Sequence, residues 1–296
     1  MHKSRQLIGP APKIPNFNTH ESLVLERDEN ESYLISDRWM DHLIGLHVYF
    51  EPNEHVYIVD NRYMSRSVTE VLESYFGKFD ADQTIKMMKN STSNIWPRPE
   101  YSTVTACGIV KPFTDEQIKL KWAEDRNRGT WMHFNIERFL NGLQYSSDVD
   151  IEMGYFVNFY QKEIRGRGII PYITEWRIAS PEELCLGGSV DFVGKFEDGT
   201  YGIVDWKRIK NWDSLHSSFS RKCCGSLFEL GASNYNKYSL QINLYRYILE
   251  KEYGIKVSWM AVASFHPNQS EYKFAVVENM DDIINTIILD LQRAIK

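Results

Sequence analysis

The sequence has few cysteines, no long apolar run and no excess of basic residues. Its four cysteines are scattered, at positions 107, 185, 223 and 224, and their spacing does not form a disulfide framework. Lys and Arg number 34 against 40 Asp and Glu, a net charge of −6, which argues against a protein that coats nucleic acid by charge alone. The lack of an apolar leader or span predicts a soluble, intracellular chain with reduced thiols and no membrane partner.

Repeats, low-complexity segments and a P-loop are also missing, which argues against a repeat array or a fused P-loop helicase. Aromatic residues, in contrast, reach 14% of the sequence, a level that disordered chains lack. With 296 residues, the chain is long enough for one large core, or for one core and a smaller appendage.

The hydrophobic pattern predicts an α/β protein with two parts. Residues 1–112 are predicted to hold an N-terminal arm, a β-hairpin at 46–64, a helix at 67–76 and an irregular excursion from 86 to 110. Residues 113–296 are predicted to form the core, in which helices alternate with strands. Capping-box patterns begin two helices, at Ser67 with Glu70 and at Thr114 with Gln117. The predicted core helices are 114–141, 151–165, 235–253 and one from 281, and its strands are 169–178, 188–196, 201–207, 257–265 and 272–277.

The chemistry-bearing segment is a strand, a tight turn at Asp198-Gly199, and a return strand that ends in Asp205-Trp206-Lys207. Side chains alternate along a strand, so Asp205 and Lys207 share one face. Asp191 lies on the partner strand and can reach the same place. A structural ion pair at a strand end is the alternative interpretation of this pattern.

Two carboxylates and an amine suit metal-dependent hydrolysis of a phosphodiester. Asp191 and Asp205 would hold Mg²⁺ or Mn²⁺, which prefer oxygen ligands. Lys207 would orient or activate the attacking water and stabilise charge on the phosphate. We therefore predict these three residues to be catalytic.

Gly-Gly-Ser-Val-Asp, a hairpin and then Ile-Val-Asp-Trp-Lys resemble the core motif of PD-(D/E)XK nucleases. The similarity is greatest to the RecB-like branch, which includes the mitochondrial genome maintenance exonuclease and many phage and viral exonucleases. This resemblance implies a restriction-endonuclease-like core, a central mixed β-sheet flanked by helices, with an N-terminal extension of hairpin and helix.

The segment Gly129-Thr130-Trp131-Met132-His133 resembles a helical motif of the same branch, which implies that His133 is a metal ligand. Glu137 lies one turn further along the same helix face and is a further candidate ligand. We attribute Gly129 to a close approach of the helix to the sheet or the substrate. A histidine that only packs in the helix is the alternative.

The resemblance implies roles for four more places. Gln241 and Tyr245, spaced as in the family's Q-x-x-x-Y, are expected to border the active site and to be catalytic. Glu175 is expected to orient Lys207 or to touch a second metal, or else to be a surface carboxylate. The backbone carbonyl of Trp206 is expected to bind the metal. The His55-Val56-Tyr57 hairpin before Ser67-Val68-Thr69 also resembles the phage and mitochondrial members.

Basic and aromatic residues follow the core motif and are predicted to bind nucleic acid, because aromatic faces stack bases and cations contact phosphates. A solvated loop is the alternative. The family's iron–sulfur cluster is not expected, since the required cysteine group is missing. A zinc site from His216, Cys223 and Cys224 has poor spacing. The predicted nucleic-acid-binding residues are Arg208, Lys210, Trp212, Arg221 and Lys222.

The sequence thus predicts a metal-dependent deoxyribonuclease, an exonuclease of replication, repair or recombination. Its expected partner is DNA with a single-stranded end. Two alternatives stay open: a non-catalytic nucleic-acid-binding protein on a nuclease fold, and a metal hydrolase that acts on a small phosphoester.

Overall fold

The structure, a computed structural model, describes residues 7–25, 46–51, 54, 56–92 and 96–295. The chain divides into two compact units, and each is described by itself. His55, two residues of the predicted turn at 51–54 and the arm residues before 7 lie outside the described residues. The larger unit is drawn from Met1–Lys13, Glu26–Gly77 and Met132–Lys296, and the smaller from Ile14–Leu25 and Lys78–Trp131.

The described residues form six α-helices and eleven β-strands. Among these residues, no helix combines the length and the apolar character needed to cross a lipid bilayer. The helices are α1 (Val68–Phe76), α2 (Ala81–Lys89), α3 (Asp115–Leu140), α4 (Asp150–Phe159), α5 (Asn234–Tyr253) and α6 (Asp281–Ile295). The strands are β1 (Val48–Glu51), β2 (Val56–Val59), β3 (Arg62–Tyr63), β4 (Arg66–Ser67), β5 (Ser102–Val104), β6 (Val110–Pro112), β7 (Ile170–Ser180), β8 (Leu186–Lys195), β9 (Tyr201–Lys207), β10 (Val257–Ser264) and β11 (Lys273–Val276).

A mixed sheet forms the centre of the larger unit. Its strands follow the order β11-β10-β9-β8-β4, and β7 also pairs with β8. The β9–β10 and β4–β8 pairs are parallel, whereas β7–β8, β8–β9 and β10–β11 are antiparallel. The predicted α/β class, with a central mixed sheet flanked by helices, is confirmed.

The two faces of β9 pack against different helices. Ile203 belongs to a buried aliphatic cluster that includes Leu244 and Ile248 of α5. On the other face, the ring of Trp206 contacts Phe156 and Phe159 of α4, with ring centroids 5.6 and 5.9 Å apart. Burial of both faces explains why β9 is apolar apart from its terminal charged residues.

Two adjacent glycines of β8 allow aromatic rings to lie directly on the sheet. A Cβ atom at Gly187 would stand 2.5 Å from Cβ of Tyr57, and one at Gly188 would stand 2.6 Å from Cε1 of Tyr245. Real side chains do not approach so closely, so any larger residue would displace these rings. The Gly-Gly step therefore gives the rings of Tyr57 and Tyr245 room to pack against β8.

Local sequence signals identified most elements correctly. The predicted capping boxes of α1 and α3 are confirmed: Ser67 Oγ accepts a hydrogen bond from Glu70 N at 3.2 Å, and Thr114 Oγ1 accepts one from Gln117 N at 3.2 Å. The predicted hairpin forms as β1–β2, and β3 adds a third strand.

The irregular excursion predicted for 86–110 is wrong in part. Residues 86–89 complete α2, which begins after Asp80, whose carboxylate accepts a hydrogen bond from Gln83 N at 2.9 Å. Farther along, β5 and β6 pair as a short hairpin. The polar composition concealed α2 because Ile85 is its only fully buried residue.

The smaller unit is held by rings and by one buried amide. Trp122 donates a hydrogen bond to the Tyr101 hydroxyl at 2.9 Å, and the rings of Trp96 and Tyr101 stack with centroids 6.2 Å apart. The side chain of Asn127 is fully buried and donates to the carbonyls of Phe17, Thr19 and Glu21. This amide satisfies backbone groups that strand pairing leaves free.

We expect Gly187→Ala and Gly154→Ala to have opposite effects on stability. Gly187→Ala should lower the free energy of unfolding by about 1–3 kcal/mol, because the added methyl displaces Tyr57. Gly154 is exposed in α4 and a Cβ there meets nothing within 4 Å, so Gly154→Ala should stabilise. The gain should reach up to about 1 kcal/mol. Urea unfolding measures both; equal effects would contradict the packing of Tyr57 on β8.

Candidate active site

The site forms where β8 and β9 stop pairing. Their ladder runs from Lys195↔Tyr201 to Phe192↔Val204 and ends there. Beyond it, the backbone N–H of Trp206 donates a hydrogen bond to Asp191 Oδ2 at 2.7 Å. The carboxylate thus takes the place of a strand partner and is fixed beside the end of β9.

Asp205 and Lys207 form a close ion pair at this end of β9. Lys207 Nζ lies 2.6 Å from Asp205 Oδ2, and the Asp205 side chain is only 4% exposed. The ring of Tyr238, on α5, covers the ammonium, with Nζ 5.0 Å from the ring centroid. The predicted shared face of Asp205 and Lys207 is therefore present in the structure.

His133 of α3 lies close to both Asp191 and Glu175. Its Nδ1 lies 3.6 Å from Asp191 Oδ2 and 3.8 Å from Glu175 Oε1. One ligand atom from each of the three residues lies within 4.8 Å of the others. These three side chains converge from three separate elements.

Glu175 reaches the cluster through an unusual backbone conformation. The β7–β8 register passes from Thr174↔Phe192 to Trp176↔Val190, so Glu175 faces Asp191 at a break in the ladder. The φ angle of Glu175 is 49°, in the left-handed region that non-glycine residues rarely adopt. Such a conformation costs about 1–3 kcal/mol, and strain of this kind is concentrated at functional sites.

Neighbouring charges determine how these groups titrate. Burial lowers the pKa of His133, but Asp191 and Glu175 outweigh it and raise that pKa to about 10. For Asp191, burial acts to raise the pKa, but His133 and then Lys207 hold it below its ordinary value. Asp191 is therefore ionised and His133 protonated at neutral pH.

The Asp205–Lys207 pair shows two shifts with different causes. Burial raises the pKa of Asp205 to about 6, although Lys207 opposes the rise. Burial lowers the pKa of Lys207, but the carboxylates of Asp205 and Asp191 outweigh it and keep the pKa above its ordinary value. Lys207 therefore stays protonated at neutral pH. Its single ammonium does not fully compensate Asp205 for the solvation that the carboxylate loses on burial.

The donor set fits a divalent cation. Asp191 and Glu175 offer carboxylate oxygens, which suit Mg²⁺ and Mn²⁺, and His133 offers a ring nitrogen, a ligand of transition-metal ions. Asp205, the other predicted oxygen ligand, is not part of this three-residue cluster. Asp205 Oδ2 is fully buried and has no hydrogen-bond donor of good geometry among the described residues. A cation would add to the positive charge that Lys207 already places beside this oxygen, and it would displace the His133 proton.

The residues Gln241 and Tyr245 lie together beside the acidic groups. Gln241 Nε2 donates a hydrogen bond to the Tyr245 hydroxyl at 2.9 Å. Burial, followed by nearby charges that include Asp205, raises the pKa of Tyr245 well above its ordinary value. Tyr245 is thus a neutral hydrogen-bonding group, and the catalytic role of this pair stays a prediction.

Three further residues from the sequence analysis are not members of the cluster of His133, Glu175 and Asp191. Glu137 is buried one turn beyond His133 and is not part of the three-residue cluster. The Trp206 ring is buried, and a metal-binding role for its carbonyl stays a prediction. Gly129 borders open space, since a Cβ there meets nothing within 4 Å, so the proposed close approach to the sheet does not explain it.

The predicted nucleic-acid-binding residues fall into two groups. Lys210, Arg221 and Lys222 are exposed and Trp212 is half-buried, as binding requires. Arg208 instead turns inward, where its Nε lies 3.1 Å from Glu152 Oε1, and both side chains are largely buried. Its charge is committed to that ion pair, which fixes the chain just after Lys207.

Sequence reasoning did not identify Tyr238 or Glu152. Tyr238 precedes Gln241 by three residues and Tyr245 by seven, so the three share one helix face. That spacing could have revealed Tyr238. Glu152 has no comparable signal, because only the packing of α4 against the sheet brings it to Arg208.

Several solved structures show partial similarity to this chain, among them two structures of one exonuclease. No protein-family model and no curated protein sequence matches it. The alkaline exonuclease LHK-Exo from Laribacter hongkongensis is 13% identical, with a TM-score of 0.32, over 76% of this chain and 90% of that chain. LHK-Exo in complex with dAMP is 15% identical, with a TM-score of 0.32, over 57% of this chain and 78% of that chain. At sequence identities and TM-scores this low, the chemistry of the site has to be inferred from its own residues.

Proposed function

We propose that this protein is a metal-dependent deoxyribonuclease of the PD-(D/E)XK type, with exonuclease activity. One observation carries the proposal: Asp191, Asp205 and Lys207 converge where two strands diverge, and His133 and Glu175 complete a set of cation ligands. A structural ion pair needs neither the extra carboxylates nor the strained backbone of Glu175.

Each residue of the site has a distinct role in this proposal. Asp191, Asp205 and His133 would hold the cation, with Glu175 as a further ligand. A bound divalent cation polarises the scissile phosphate and lowers the pKa of the attacking water. Lys207, held as an ammonium by Asp205, orients that water and stabilises charge on the phosphate. Gln241 and Tyr245 would donate hydrogen bonds to the substrate.

The proposed assignment to the RecB-like branch rests on the order of the motifs along the chain. His133 on a helix, then Asp191, Asp205 and Lys207, then Gln241 and Tyr245 match the RecB-like branch in sequence order. All of these residues belong to the larger unit, where His133 lies beside Asp191 and Gln241 beside Tyr245. On this basis we infer a DNA substrate with a single-stranded end and a role in replication, repair or recombination.

Removal of either catalytic group should abolish cleavage. Asp205→Asn and Lys207→Ala should each slow Mg²⁺- or Mn²⁺-dependent degradation of end-labelled DNA by at least about 100-fold, because positioned acid–base and charged groups contribute that much or more. The control variants Asp213→Asn and Lys256→Ala change exposed residues outside the site and should retain full activity. Undiminished cleavage by both active-site variants would refute the proposed function.

Cation binding should release a proton from His133. Because the folded pKa of about 10 exceeds the ordinary 6.5, the protonated ring stabilises the metal-free fold fully below pH 6.5. That contribution is lost as the pH rises towards 10. A cation must displace the proton, so the affinity for Mn²⁺ should increase about tenfold per pH unit within this window.

Isothermal titration calorimetry in buffers of different ionisation enthalpy measures this release. We expect about one proton per Mn²⁺ from the native protein at pH 7.5, and none from His133→Gln. Binding of Mn²⁺ to the native protein without proton release would show that His133 is not a ligand.

The carboxylate of Glu175 should strengthen cation binding, whereas its left-handed backbone should lower the stability of the fold. Glu175→Gly removes both the carboxylate and the backbone strain, whereas Glu175→Gln removes the carboxylate alone. Both variants should bind Mn²⁺ more weakly, but the glycine variant should be more stable than the glutamine variant by about 1 kcal/mol. Thermal unfolding with and without Mn²⁺ separates the two effects; equal stability of the variants would contradict the strain at Glu175.

A further inference from the structure

The loop between β9 and α5 carries a local excess of positive charge. Residues 208–222 contain four basic residues and one acidic residue, a net charge of 4 − 1 = +3 in a chain of net charge −6. Arg208 is committed to Glu152, but Arg221 and Lys222 are exposed. Lys222 Nζ donates to the carbonyl of Glu229, a neutral partner that leaves its charge uncompensated.

At the tip of this loop, Phe219 occupies a tight turn. Arg221 N donates a hydrogen bond to the Ser218 carbonyl at 2.9 Å, which closes the turn. Both central residues have positive φ, 48° for Phe219 and 62° for Ser220. Turns of this kind favour Asn-Gly, and a bulky aromatic residue in the left-handed region is an outlier.

The Phe219 side chain projects into solvent and is 73% exposed. Phe228, in the same loop, is also exposed, at 63%, but has an ordinary φ of −59°. The free protein therefore gains neither burial nor relaxed backbone from Phe219. An unfavourable conformation that presents an aromatic face points to a ligand for that face.

The turn is held firmly by the segment that leads into α5. Lys222 forms a β-bridge with Gly231, and Cys223 N donates to the Leu230 carbonyl at 2.9 Å. Ala232 N donates to the Arg221 carbonyl at 3.0 Å. The tip therefore has a defined position relative to α5.

Ordered segments connect the tip to the proposed catalytic lysine. Tyr238, whose ring covers Lys207, follows the α5 N-cap Ser233 by five residues, which is about 7.5 Å along a helix. The other end of the loop continues directly from Lys207. Both attachments tie the tip to the segments that carry Lys207 and Tyr238, so a strand bound at the site could extend to it.

We propose that Phe219 stacks on an unpaired base of the DNA substrate, while Arg221 and Lys222 contact the adjoining phosphates. Exposed aromatic faces beside cations are typical of single-strand binding, because every base offers a π-face whatever the sequence. A base inside a duplex has both faces covered, so the contact selects a single-stranded segment. This inference rests on the proposed function and adds a substrate-binding residue to it.

Binding to a protein that cannot cleave tests the inference. In an Asp205→Asn background, the affinity for a labelled single strand and for a blunt duplex is measured by fluorescence anisotropy at fixed salt. Phe219→Leu should weaken single-strand binding about 5- to 100-fold and leave duplex binding nearly unchanged. Phe219→Trp should retain the affinity, and the matched control Phe228→Leu should have no effect.

A scan with abasic nucleotides locates the stacked base. Removing that base should weaken binding to the Phe219 protein and should have no further effect in Phe219→Leu, because the two changes remove one contact. Elsewhere along the strand, the two losses should add. Additivity at every position would overturn the stacking contact.

The outcomes separate this inference from the proposed function. A protein that binds neither strand form contradicts the proposed function itself. A second case is a protein that binds DNA while Phe219→Leu has the same affinity as Phe228→Leu, or while Phe219→Leu weakens duplex and single-strand binding equally. Either result overturns only the role of Phe219. Phe219→Gly adds a second readout: it should raise the melting temperature and weaken binding, whereas a lower melting temperature with unchanged binding would show a packing role instead.

Discussion

The hydrogen bond from the Trp206 backbone to Asp191 is the interaction on which the site depends. It forms because β8 and β9 separate after Phe192↔Val204, which leaves the Trp206 N–H without a strand partner. A side-chain carboxylate satisfies that donor and is thereby held beside Asp205. The strand end that supplies the Asp205–Lys207 pair thus also orders the neighbouring carboxylate.

The same arrangement concentrates negative charge that the protein alone does not balance. Three carboxylates, Asp191, Asp205 and Glu175, surround two cationic groups, His133 and Lys207. Burial and mutual proximity make this cluster costly in the absence of a metal. The left-handed backbone of Glu175 adds strain. A divalent cation would balance the excess charge, which supports metal binding as the role of the cluster.

The tip of the loop, which is not part of the acidic cluster, shows a related pattern. Phe219 has an unfavourable backbone and an exposed ring. Within the described part of the chain, no acidic side chain pairs with the exposed cations Arg221 and Lys222 beside it. The acidic cluster suits a cation and the loop tip suits a nucleic-acid strand. Placing the two charge types on different segments would allow an acidic protein to bind a polyanion.

Local signals in the sequence determined much of the fold. The capping boxes predicted the starts of α1 and α3, and the tight turn at Asp198-Gly199 predicted the β8–β9 pair, which brought Asp191 near Asp205. Alternation along β9 placed Asp205 and Lys207 on one face. The helix α2 was missed because its single buried residue gives little periodicity. These signals act over a few residues, where backbone geometry limits the choices.

Only the tertiary structure decided which distant groups meet. Nothing local to Arg208 shows that it turns inward to Glu152, 56 positions earlier, rather than outward to a substrate. The break in the β7–β8 ladder that aims Glu175 at His133, and the left-handed turn that presents Phe219, likewise depend on packing between elements. Sequence determined which elements form and which face each residue occupies, because those follow from short-range geometry. Long-range contacts fixed which charges are paired, because burial and partner choice depend on the whole folded chain.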